Sequence, residues 1–106
     1  MIFTTIVPKQ RNDKTKVSLT EMKAIRKALV DQFGGITSES DTYGEWIDPE
    51  DGRRYEDKGV KVTVACNRER FAEAEEAVRQ IGRRLGQKVM YFEVRYYDGV
   101  RFLRID

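Results

Sequence analysis

The sequence predicts an α+β domain in which two helices pack on one face of a mostly antiparallel sheet, with element order β-α-β-β-α-β-β. Three observations carry that expectation. Two stretches repeat apolar residues at helical spacing, and strand-like segments with period-two or β-branched patterning flank them. Amphipathic helices and half-buried strands satisfy each other when helices cover one sheet face. The 106 residues suffice for one domain and leave no room for a second.

The elements follow in order. Ile2 to Val7 is β-branched and aromatic, and Pro8 ends it. Lys9 to Lys16 reads as an exposed basic loop. Ser18-Leu19-Thr20-Glu21 has the capping-box form, in which the Ser18 hydroxyl accepts from the N–H of residue 21 and the Glu21 side chain reaches back. Met22, Ile25, Ala28, Leu29 and Phe33 then define one helix face, closed by Gly34-Gly35. Ile36 to Asp41 reads as a polar connection and Thr42 to Ile47 as a strand. Asp48-Pro49-Glu50-Asp51-Gly52 is turn chemistry, and the chain returns through Arg53-Arg54-Tyr55. Val60, Val62, Val64 and Cys66 alternate with Lys61, Thr63 and Ala65, a strand with one buried face.

Asn67 is the expected N-cap of a second helix whose buried stripe is Phe71, Ala74, Val78, Ile81 and Leu85. Gly82 inside it suggests close packing on the sheet, and Gly86 ends it. Val89 to Tyr97 and Val100 to Ile105 read as a hairpin about the Asp98-Gly99 pair. That register sets Glu93 opposite Arg104, and puts Met90, Phe92, Val94 and Tyr96 on one face with Leu103 and Ile105. The first six elements have the order of a ferredoxin-like plait, so residues 1–106 are expected to form one such domain with an added strand.

Composition narrows the chemistry. Hydrophobic residues make up 40% and charged residues 36%, with 20 Lys and Arg against 18 Asp and Glu. There is no histidine, which removes Ser-His and Cys-His nucleophilic pairs and histidine metal sites. The single cysteine, Cys66, excludes an intramolecular disulfide and reads as a core thiol of a cytoplasmic protein. No apolar run is long enough to cross a membrane, and the amino terminus reads as a strand with no leader. No Gly-rich phosphate loop precedes a helix, and no catalytic set or cofactor site can be named.

The net charge of +2 hides segregation. Residues 1–38 sum to +4, residues 39–57 to −6 and residues 58–106 to +4. The acidic segment holds Glu39, Asp41, Glu45, Asp48, Glu50, Asp51, Glu56 and Asp57. Its spacing does not fit a calcium loop, so it reads as a solvated hairpin or as a contact surface for a basic partner. Tyr91, Tyr97 and Phe102 fall on the opposite side of their strands from Phe92 and Val94. Aromatics on an open sheet face suggest partner burial or a homodimer. Arg83, Arg84, Arg95, Arg101 and Arg104 with neighbouring aromatics suggest nucleic acid instead. Against this, the strand Lys58 to Val64 lacks the aromatics of RNA-recognition domains.

Gly35-Ile36-Thr37, Gly44-Glu45-Trp46, Asp51-Gly52 and Glu56 together resemble a pattern in small ferredoxin-like (α/β-plait) proteins of uncharacterised function. The resemblance implies the plait and no activity. On physical grounds Gly44 would admit a close approach beside a large ring, and Trp46 would cap an open edge of the core. The reading is a non-catalytic binding protein of inhibitor or adaptor type. It would dock on a protein through Asp48, Glu50 and Asp51 and through Tyr91, Tyr97 and Phe102. The alternatives are nucleic-acid binding through the arginines, and a dimeric module that holds a small ligand.

Overall fold

The sheet is organised about a central strand too short to match its neighbour. The computed structural model describes residues 1–96, 101 and 103–105. Strand β1 (Ile2–Pro8) lies between β3 (Arg54–Ala65) and β4 (Phe92–Arg95), and β2 (Thr37–Ile47) flanks β3. The order is β2-β3-β1-β4 and every pairing is antiparallel, the arrangement of a ferredoxin-like plait.

Helices α1 (Leu19–Phe33) and α2 (Phe71–Arg84) close over one face. Ser18 caps α1 through its hydroxyl, which accepts from the Glu21 N–H at 3.0 Å. The reciprocal half of the box does not form as the sequence suggests, because Arg11 and Arg84 engage the Glu21 carboxylate. Arg11 foremost holds that carboxyl below its usual range. Gly34, at φ 91°, closes the helix as its left-handed cap. Asn67 caps a tight 3-10 turn, Arg68–Arg70, that leads into α2.

The core joins Phe3 and Val7 of β1 and Val60, Val62 and Val64 of β3 to both helices. Met22, Ile25, Leu29 and Phe33 come from α1, and Ala74, Ala77, Val78 and Ile81 from α2, with Leu85 behind them. Phe3 is fully buried, edge-on to Phe33 at 5.2 Å and tilted on Phe92 at 5.8 Å. Ala28, expected on the buried face of α1, is exposed, whereas Ala77 belongs to the core.

Three further expectations need correction. The polar stretch from Thr37 to Asp41 is strand, because β2 is an exposed edge that meets water along most of its length. A bulge between Glu39 and Thr42, with Asp41 at φ 64°, breaks its ladder. Gly44 admits no close approach, since a Cβ there would meet nothing within 4 Å. The strand over Val89 to Tyr97 is only Phe92–Arg95, and Glu93 pairs with Thr4, not Arg104. Arg101, Leu103, Arg104 and Ile105 lie in no strand, and Leu103 and Ile105 are exposed rather than on the core face. Tyr97, the Asp98-Gly99 turn, Val100 and Phe102 lie outside the described residues. No helix among the described residues is long and apolar enough to cross a membrane.

Candidate binding arm and cleft

The site follows from the mismatch in strand lengths. Pro8 ends β1 opposite Gly59 and the Lys9 N–H makes one last bond to the Lys58 carbonyl at 3.0 Å, so β3 from Arg54 to Asp57 pairs with no strand but β2. The hairpin therefore leaves the sheet as a two-stranded arm. The radius of gyration, 14.7 Å, exceeds the roughly 13 Å expected of a compact chain this long.

The arm's tip is built by the acids that the sequence singles out. The Asp48 carboxylate accepts from the Glu50 N–H at 2.9 Å, and its carbonyl accepts from the Gly52 N–H at 2.8 Å. Asp51 accepts from the Arg53 N–H at 2.8 Å and from the Tyr55 hydroxyl at 3.0 Å. Its carboxyl is held below the usual range chiefly by the Arg53 N–H, with the Tyr55 hydroxyl and the charges of Arg53 and Lys88 adding. Asp48 is buried, whereas Glu50 and Asp51 are exposed. Asp48 thus shapes the turn, while Glu50 projects from it.

Period two gives the arm two faces. One carries Tyr43, Glu45, Ile47, Arg54 and Glu56. There the Tyr43 hydroxyl donates to Glu45 at 2.7 Å, and Arg54 pairs with the same carboxylate at 2.7 Å. That hydrogen bond, with lesser help from burial and the nearby acids, pushes the Tyr43 phenol up to about 12. Tyr43 and Ile47 are exposed at 56% and 66%, a large apolar area on a ribbon with no layer behind it.

The other face carries Gly44, Trp46, Tyr55 and Asp57. Trp46 stacks on Tyr55 at 4.8 Å and donates its indole N–H to Asp57 at 2.7 Å. This face forms one wall of a cleft of about 520 Å³. The segment from Gln87 to Phe92 is the opposite wall, with Ile6 and Pro8 of β1 at the base. Thr5 pins that wall by donating to the Tyr91 carbonyl at 2.7 Å. Gly82 lets the wall approach α2, since a Cβ there would stand 2.8 Å from the Met90 side chain. Behind the same segment a shallower groove of about 390 Å³ has Arg79, Arg83 and Lys88 on its rim.

The other expected residues are dispersed. Tyr91 is half exposed and lines the cleft, which places it across from the arm. Arg83 pairs with Glu76 at 2.7 Å, and Arg84 reaches Glu21 at 3.5 Å, both on the helix layer. Arg95 alternates with the core-facing Val94 and so points from the opposite sheet face. Arg101 and Arg104 are exposed. Cys66 is half-buried beside the core, and burial raises its thiol, the reverse of activation. Among the described residues no group of three or more acids and cysteines is placed to hold a metal ion.

The Trp46–Asp57 contact was within reach of the sequence. Counting back from the Asp48–Gly52 turn sets Ile47 opposite Arg54, Trp46 opposite Tyr55 and Gly44 opposite Asp57. The wall beyond them was not, because it depends on where β1 stops.

No protein-family model matches the chain, and no curated protein matches it in sequence. Solved structures do. The divalent cation tolerance protein Cut A1 of Thermus thermophilus superposes with a TM-score of 0.68 over 94% of this chain and 85% of its own, at 16% identity. A phage SAM lyase in complex with S-methyl-5'-thioadenosine superposes with a TM-score of 0.62 over 86% of this chain and 76% of its own, at 11% identity. At such identities the likeness is one of fold.

Proposed function

We propose that this protein is a non-catalytic binding module that docks on a protein partner through the β2–β3 arm. The observation that carries the reading is the arm itself. A two-stranded ribbon is at best marginally stable in water, and this one leaves the sheet with Tyr43 and Ile47 exposed. Its outer edge, β2, is eleven residues long and unpaired among the described residues. An edge of that kind recruits another backbone unless it is covered or blunted. The bulge at Asp41 and the acids along the arm blunt it against indiscriminate pairing. They favour a partner with a basic surface around an apolar patch.

Within this reading Glu50 and Asp51 steer the encounter while Tyr43 and Ile47 supply the contact. Tyr91, which lies beyond the cleft on the arm's other side, keeps a proposed partner-binding role with Tyr97 and Phe102. Self-association into a homodimer is the assembly proposed for the isolated chain. Sedimentation would report it as a mass twice 12.4 kDa.

Nucleic-acid binding is a second reading with its own observation. The Lys9–Lys16 loop sits against the end of α2, where the Asn12 amide donates to the Gly86 carbonyl at 3.4 Å. Lys14, Lys16, Arg83 and Arg84 thereby share one end of the helix layer. Glu21 and Glu76 offset part of that charge. Binding by this route would fall steeply with salt, and no shift of single-stranded RNA or DNA at low salt would remove it. The docking reading is tested by affinity capture with and without nuclease, using wild type and an arm carrying Ile47→Lys and Glu50→Lys. Capture of a protein by both chains alike would sink it.

A further inference from the structure

We infer that the cleft between the arm and the Gln87–Phe92 segment is a binding site for a small organic ammonium ion. The inference is independent of what the arm docks on. Three features of the cleft point to this class.

The first is composition. Trp46 and Tyr91 line one cavity over a base of Ile6 and Pro8, and Phe92, whose ring packs on Phe3 and Phe71, closes the wall beside Tyr91. Aromatic faces attract a cation through the ring quadrupole, most strongly where water is excluded, and apolar walls receive its alkyl groups. The second is charge. In a chain with 20 basic residues, none of the described residues lining this cleft is Lys or Arg, while Glu45 and Asp57 border it. Lys88, between the lining residues Gln87 and Val89, lines the groove behind the segment instead.

The third feature is an acceptor left open. Glu45 is spent on Tyr43 and Arg54. Asp57 gives one oxygen to the Trp46 indole N–H, and its other oxygen accepts no hydrogen bond among the described residues. A carboxylate fixed by the indole beside it is a counter-charge held in place before any ligand arrives. The cleft volume, about 520 Å³, lies within the ordinary range for small-ligand pockets. Gly44 keeps it open, because any side chain there would stand in empty space on the wall it shares with Trp46 and Asp57. An anion would meet the Glu45 and Asp57 carboxylates here with no cationic side chain in the lining, and a metal ion would find one open carboxylate oxygen.

Trp46 is the chain's single tryptophan, so its emission reports on the cleft alone. The probe is benzyltrimethylammonium chloride at constant total chloride, with benzyl alcohol as the uncharged comparison. The expected result is a saturable change in emission with the cation and none with the alcohol. Asp57→Asn retains an oxygen for the indole N–H and removes the charge, and should weaken binding by about tenfold. Gly44→Val introduces its side chain where the first atom meets nothing within 4 Å, and should abolish binding with the fold intact. No saturable change, equal binding of benzyl alcohol, or undiminished affinity in Gly44→Val would each overturn the inference. Should Asp57→Asn lose its circular dichroism spectrum, Gly44→Val decides the matter.

Discussion

Alanine placed at Gly59 and at Gly44 asks one chemical question of two positions on adjoining strands, and the structure gives opposite answers. A Cβ at Gly59 would stand 2.6 Å from Ile6 Cγ2 and 2.8 Å from the Val7 carbonyl oxygen, inside the 3.4 Å where ordinary contact begins. Ile6 can rotate away, but the Val7 oxygen is backbone of the central strand beside the Val7–Val60 and Pro8–Gly59 pairs. Relief therefore requires β1 and β3 to part where the arm begins. Overpacking of this kind costs roughly 1–3 kcal/mol. At Gly44 a Cβ meets nothing within 4 Å, and alanine should stabilise by about 0.4–1 kcal/mol through the unfolded chain. That entropic gain applies at both positions, so the difference between the variants isolates the strain. Urea unfolding followed by circular dichroism should place Gly59→Ala below Gly44→Ala by about 1–3 kcal/mol, or roughly 5–15 °C in Tm. Equal stabilities would refute the close approach of β1 to β3, and with it the position at which the arm leaves the sheet.

Four further outcomes are expected. Phe3→Ala, which empties the centre of the core between Phe33 and Phe92, should cost about 3–5 kcal/mol in the same assay. Ser18→Ala should cost about 1 kcal/mol, since α1 loses its hydroxyl cap while Glu21 stays with Arg11 and Arg84. Tyr43 should ionise near pH 12 in absorbance titration and return toward 10 in Glu45→Gln. Its raised phenol means that the Tyr43–Glu45 contact stabilises fully below pH 10 and is lost as pH rises through about 12. Glu73 is lowered to about 2 by Arg70 first and Gln32 second, so its contribution is present above about 4.5 and lost as pH falls toward 2. Unfolding curves of wild type and Glu73→Gln should converge across that window, and a constant separation would contradict it.

What the sequence revealed divides along a physical line. Periodicity found both helices and the valine strand because burial of Ile25, Leu29, Val62 and Ile81 is written in spacing. Caps at Ser18, Gly34 and Asn67 were legible because one side chain or one φ angle decides each. The start of β2 was not, since an edge strand exposed to water reads like a loop in composition. The capping box was half right because Arg11, ten residues away, claims Glu21. The acids of the hairpin were visible, but their division of labour was not. Asp48 folds the tip, Glu50 faces solvent, and Asp57 turns into a cleft whose far wall is about thirty residues on. That cleft needs Pro8, Asp57 and Tyr91 together, and no local pattern relates them.

The arm's role is tested most directly by affinity capture from nuclease-treated lysate with two baits, wild type and Ile47→Lys, Glu50→Lys. Both substituted side chains are exposed, so the fold should be unaffected. The docking proposal predicts a protein retained by wild type after nuclease and salt washing and absent from the variant. The same protein on both baits, or retention that disappears with nuclease, would contradict it.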